Sequence, residues 1–219
     1  MPNIIYFILM VNSVVANSNF YDLVYQEQQI WMRKFNYFKI ENTLLFEEFI
    51  DIHVNHFNDF HNSDKLFFSF HEIYLDLFNY ISDIQLYYWD FYEISIQKYI
   101  EDFGGFGIFC QNNICYQRIF RTSKLDIKKY NNKKLDDIES YTIFMRDQVH
   151  NKIHQYIGGT MISPYSPRDI LFYPFHMYMN ILYQIHTEFD VQLYREETKT
   201  LLLNSTYIDE FWKQIIYYL

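Results

Sequence analysis

Apolar side chains recur at three- and four-residue intervals through most of the chain, and the alternation of a half-buried strand is scarce. Over residues 26–39, Ile30, Met32, Phe35 and Phe38 form the first such stripe. Leu45, Phe46, Phe49, Ile50, His53 and Phe57 repeat it over 43–57, with Thr43 placed to cap the helix. The polar run 58–65 (NDFHNSDK) reads as a break. A third helix is expected over 69–83, where Phe70, Ile73, Tyr74, Leu77 and Ile81 share one side. The glycine-punctuated stretch from Phe103 to Cys115 predicts irregular structure. Helical spacing resumes from Asp136 to Tyr156, and Gly158-Gly159 ends it. After a turn at 163–167, residues 169–189 predict a fifth helix, with Pro174 early enough to be tolerated. Residues 197–219 predict one more. The expected fold is all-α, a four-helix-bundle core with long irregular loops.

Composition narrows this picture. The 219 residues are 50% hydrophobic, enough for one domain with a real core. With 22 Tyr and 22 Phe, aromatic richness alone marks no ligand site. The net charge is −9, and the basic pairs Lys128-Lys129 and Lys133-Lys134 sit in a polar loop, which disfavours a nucleic-acid partner. Met1 to Ala16 reads as a cleaved secretory signal: its apolar run, Ile4 to Val15, is too short to span a bilayer and ends in Val14-Val15-Ala16. Residues 17–219 would then form one secreted domain without a membrane span. Cys110 and Cys115 bracket four residues and in an oxidising compartment form a local disulfide; two free thiols are the alternative. The sequon Asn204-Ser205-Thr206 suits secretion.

The chemistry concentrates in the histidines. Seven of eight fall into two groups, 53–71 and 150–176. His150 and His154, four apart on a helix, point the same way and can grip one metal ion. His176, arriving from a separate helix, can close that site. Zinc proteases share the spacing but need a Glu after the first histidine as general base. Asn151 stands there, and an amide cannot take that role.

The order His150-Asn151-x-x-His154, Gly158-Gly159-x-Met161, Ser166-Pro167-Arg168-Asp169 and His176 resembles the copper-B half of the tyrosinase family of type 3 copper proteins, which includes catechol oxidases and molluscan-type haemocyanins. Phe68-Ser69-Phe70-His71, Tyr88-Trp89-Asp90-Phe91 and Phe103-Gly104-Gly105-Phe106-Gly107 resemble segments of its copper-A half, and the likeness covers roughly residues 28–190. It implies two copper ions, Cu A on His53, His61 and His71 and Cu B on His150, His154 and His176. His61 is expected in a variable loop, and His56, one turn from His53, is the rival first Cu A ligand. The implied activity uses O2 to hydroxylate monophenols, to oxidise o-diphenols to o-quinones, or both. Asn151, with Asp147 as nearby acid, would order the water that takes the phenol proton. Ser163 occupies the substrate-gate position and leaves room there.

Several neighbours of the implied ligands depart from the family pattern. Phe175 replaces a histidine, Asn180 an aspartate, Asn79 a glutamate and Ile170 a proline, while Phe70 and Glu72 replace a tryptophan and an arginine. Asp59 stands where relatives carry a thioether-forming cysteine. These changes favour a second reading, a secreted protein that has lost catalysis. A haemocyanin-like dioxygen carrier is a third, and a short single domain with an open gate argues against it. The resemblance also leaves room for a copper-loading partner.

Overall fold

Phe35, Phe46, Phe78 and Tyr173 come from four helices and meet at ring distances of 4.9–6.2 Å around Phe35. Those helices are α1 (Tyr25–Glu41), α2 (Thr43–His61), α3 (Phe67–Ser82) and α7 (Phe172–His186). The computed structural model describes residues 18–111, 114–119, 125–127, 130, 135, 137–186 and 191–219. The signal expected at 1–16 and the basic pairs at 128–129 and 133–134 lie outside them.

The remaining elements are α4 (Ile96–Asp102), strands β1 (Gly107–Gln111) and β2 (Ile114–Arg118), α5 (Ile138–Phe144), a π-helical turn (Met145–His150), α6 (Asn151–Ile157), α8 (Val191–Asn204) and α9 (Glu210–Tyr218). The fold is all-α apart from this one two-stranded antiparallel sheet among the described residues. Packing centres on α3, which lies against α2, α7, α8 and α9. No helix of the described residues is long and apolar enough to cross a membrane.

Local structure differs from the sequence expectation in instructive places. The break expected at 58–65 begins later, because Phe60 and His61 prolong the apolar stripe and carry α2 through to His61. Thr43 does not cap α2. Its hydroxyl turns back and donates to the Lys39 and Ile40 carbonyls, satisfying the C-terminal end of α1. Helix α7 starts at Phe172, not 169, since Asp169 is extended and its carboxylate is taken by Arg118 and the Leu171 N–H. The tail holds two helices, broken at 205–209, where the Asp209 side chain caps α9. Helix α4 was not expected; Ser95 caps it.

The stretch expected to be irregular contains the hairpin. Cys110 and Cys115 lie directly opposite each other on β1 and β2 and are disulfide-bonded. Arg118, at the end of β2, is fully buried. Its Nε and Nη2 donate to both carboxylate oxygens of Asp169 at 2.8 and 2.7 Å, and its Nη1 donates to the Phe103 and Gly105 carbonyls. The hairpin is thereby fastened to the loop between α6 and α7. Lys39, also buried, reaches the same loop from α1 and donates to the Arg168 carbonyl at 2.9 Å. The segment Tyr88-Trp89 crosses the start of α7: the Trp89 N–H donates to the Pro174 carbonyl and its indole stacks on Tyr99.

Candidate metal centre

Helix geometry explains how three of the imidazoles are held. A helical side chain leans toward the N-terminus and lies over the preceding turn. Accordingly Nδ1 of His61, His71 and His176 meets the carbonyl four residues back, at Phe57 (3.0 Å), Phe67 (2.7 Å) and Phe172 (2.7 Å). The other three find acceptors elsewhere. His53 Nδ1 donates to the Pro164 carbonyl at 2.6 Å, His154 Nδ1 to the Met161 carbonyl, and His150 Nδ1 to Asn151 Oδ1 at 2.9 Å. Every acceptor takes the Nδ1 proton, which leaves all six Nε2 atoms as bare lone pairs.

Those lone pairs converge. His53, His61 and His71 each bring a ring nitrogen within 4.8 Å of the others, and so do His71, His150 and His176. His154 joins through its Nε2, 3.4 Å from His176 Nε2, and its ring centroid is 4.3 Å from that of His150. His71 therefore lies between the halves, with its ring stacked 4.6 Å from His176. All six predicted histidines are brought into one cluster by α2, α3, the π turn, α6 and α7. His61 stands at the end of α2 rather than in a loop. His56 faces away: its Nδ1 is 3.3 Å from Asp59, and its Nε2 accepts from Ser205 at 3.0 Å.

The arrangement fits a metal pair. Burial holds every one of the six imidazoles below its ordinary range, with His71 pushed down to about 3 and His154 to about 4; for all but His154, neighbouring imidazoles add to the effect. Neutral imidazole is the form that binds metal. His53 Nε2 and His71 Nε2 are buried without a partner, and His150 Nε2 and His176 Nε2 sit 3.0 Å apart with no proton to share. Facing lone pairs repel unless a cation joins them. Two imidazoles on one ion at about 2.0–2.1 Å and a tetrahedral angle would stand about 3.3 Å apart, close to the spacings found here.

A cavity of about 350 Å³ opens over the cluster, with His61, His150 and His154 in its wall. Asn151 and Ser163 also line it. Asn151 is bonded through Oδ1 to His150 and through Nδ2 to Asp147 at 3.4 Å. Asp147 is itself paired with Arg146 at 2.9 Å, and Arg146 also holds Asp64 at 2.6 Å. The Ser163 hydroxyl donates to the Thr160 carbonyl. Phe175 packs against three of the imidazoles, with ring centroids 5.7 Å from His150, 5.4 Å from His154 and 4.6 Å from His176. Asn180 is buried with Oδ1 unpartnered.

Sequence reasoning missed the residues that hold the loop over the site. Gly159 sits at φ +58°, and a Cβ there would lie 2.1 Å from the Gln117 carbonyl oxygen of β2. Gln117 N–H donates to Thr160 Oγ1, and Ile119 N–H to the Ile157 carbonyl. Hairpin and loop are thus in backbone contact, and the same loop supplies the carbonyls that orient His53 and His154. Glycine pairs are a visible signal for such an approach; nothing in the sequence singled out Arg118.

The fold and the cluster define a helical scaffold carrying two adjoining imidazole groups suited to a dinuclear metal centre. Residues 109–188, the segment that carries His150, His154 and His176, match the family model described as the common central domain of tyrosinase. The match does not extend to α2 and α3, so the placing of His53, His61 and His71 rests on geometry. No curated protein and no solved structure matches the chain significantly. The histidine cluster is compatible with a binuclear copper site.

Proposed function

We propose that the chain is a secreted dicopper oxidase that uses O2 to hydroxylate monophenols, oxidise o-diphenols to o-quinones, or both. The observation that carries this reading is the convergence of six Nε2 lone pairs on one buried centre beneath an open cavity, in a chain with a tyrosinase central domain. His53, His61 and His71 would hold one copper, and His150, His154 and His176 the other. Bound there, copper supplies the one-electron redox chemistry and the site for dioxygen that these side chains lack.

The residues do the rest. Backbone carbonyls and Asn151 hold the Nδ1 protons outward and so aim each Nε2 inward. Phe172, fully buried, borders the cluster on its inner side, and Phe57 borders it beside the cavity. A phenol in the cavity must lose its hydroxyl proton, and Asn151, bonded to Asp147 beside His150, would order the water that takes it. Ser163, with its small side chain turned to Thr160, leaves the ring room to enter. The Cys110–Cys115 disulfide supports an oxidising compartment.

The test is oxygen uptake by copper-loaded protein given 4-methylcatechol, then p-cresol. Quinone formation from the catechol supports an oxidase, and from the cresol a hydroxylase as well. Copper binding without turnover of either would favour the catalytically inactive reading, for which Asn180 and its unpartnered oxygen speak.

A further inference from the structure

The cavity over the cluster has a definite chemical character. Among the described residues its lining includes no Asp, Glu, Lys or Arg. Besides the imidazoles, the polar lining is Asn151, Gln155, Ser163 and Ser166, and the apolar lining includes Phe57 and Ile162. The cations nearest to these walls in sequence are committed elsewhere. Arg146 is paired with both Asp64 and Asp147. Lys152 donates to Gln148 and to the Tyr130 hydroxyl. Arg168 is paired with Glu47 and lies over the Tyr165 ring. Behind Asn151 stands an anion, Asp147, which accepts from its amide.

A phenol held with its hydroxyl toward the imidazoles points its ring substituent along these neutral walls. A methyl or hydroxyalkyl group meets Phe57, Ile162 and neutral hydrogen-bonding groups there. A carboxylate would lose its water without gaining a cation on the described lining, and the group it would find behind Asn151 is the Asp147 carboxylate. An ammonium group meets no such opposition. We propose that the site takes phenols and catechols whose ring substituent bears no carboxylate, an inference that rests on the phenol-oxidase reading above.

The experiment compares 4-methylcatechol, dopamine and 3,4-dihydroxyphenylacetate on the copper-loaded protein at low salt. The KM of the carboxylate is expected to exceed that of 4-methylcatechol by about tenfold or more, with dopamine near the neutral compound. Gln155→Arg, which places a cation on the lining, should narrow the gap to about threefold. Equal KM values for the carboxylate and the neutral catechol overturn the inference while leaving the oxidase reading intact. Absence of turnover with all three overturns the oxidase reading instead. A ligand-observed NMR titration of the copper-free protein with 4-methylcatechol and 3,4-dihydroxyphenylacetate then decides the inference by itself. Weaker binding of the carboxylate upholds it; equal binding, or binding of neither, overturns it.

Discussion

His53 and His56 lie one turn apart on α2 and face different neighbours. His53 turns its Nε2 into the imidazole cluster, and His56 ties α2 to Ser205 in the turn between α8 and α9. His53→Ala is therefore expected to lower the copper content from two per chain to about one, whereas His56→Ala keeps two and costs about 1 kcal/mol of stability. Metal analysis of the two purified variants checks this; loss of copper from the His56 variant would contradict it. Asn151 carries a separate prediction. Asn151→Leu removes both the acceptor for His150 Nδ1 and the donor to Asp147. Hydroxylation of p-cresol should fall by about 10- to 100-fold, and more than oxidation of 4-methylcatechol does. Equal losses would mean that Asn151 only orients His150. At this scale the sequence was informative about His150, His154 and His176, whose order and spacing follow from one continuous helical stretch, a loop and the start of the next helix. It left His53 and His56 open, because which face of α2 meets α3 and which meets the α8–α9 turn is settled by tertiary packing.

The loop from Gly158 to Leu171 and the β1–β2 hairpin work as one unit. The loop orients one histidine of each triad, through Pro164 and Met161, and the hairpin grips it through Gly159, Thr160 and Asp169. Gly159→Ala combines an unfavourable φ with a backbone collision, and a loss of about 2–4 kcal/mol is expected in chemical denaturation. An unchanged midpoint would show that the hairpin can yield. Asp169→Asn leaves the fully buried Arg118 guanidinium without its counter-charge and should cost about 3–5 kcal/mol. Replacing both partners, as Arg118→Met with Asp169→Leu, should cost less than that single change. The helices were legible in the sequence because their apolar stripes repeat. The hairpin was not, since glycine and short half-exposed strands carry little period, and Arg118 looks like any surface arginine until its burial is seen. The end of α2 was misplaced because Asn58 and Asp59 face solvent while Phe60, between them and His61, is buried.

Across the molecule, six buried neutral imidazoles make copper-free stability depend on pH. In the unfolded chain they titrate near 6.5. In the fold, burial takes His71 to about 3 and His154 to about 4, and the other four well below 6.5. Between these values the unfolded chain binds more protons than the folded one, so stability is full above about pH 6.5 and falls as pH drops toward 3. Denaturation midpoints of the copper-free protein at neutral and at mildly acidic pH check the direction; a flat profile would show that the imidazoles are hydrated. The central claim is that the six-imidazole cluster is a two-copper site, and metal stoichiometry tests it most directly. Purified, copper-replete protein should contain two copper ions per chain, and His176→Ala should fall short of two. A count of zero in the folded, copper-replete protein would contradict the account.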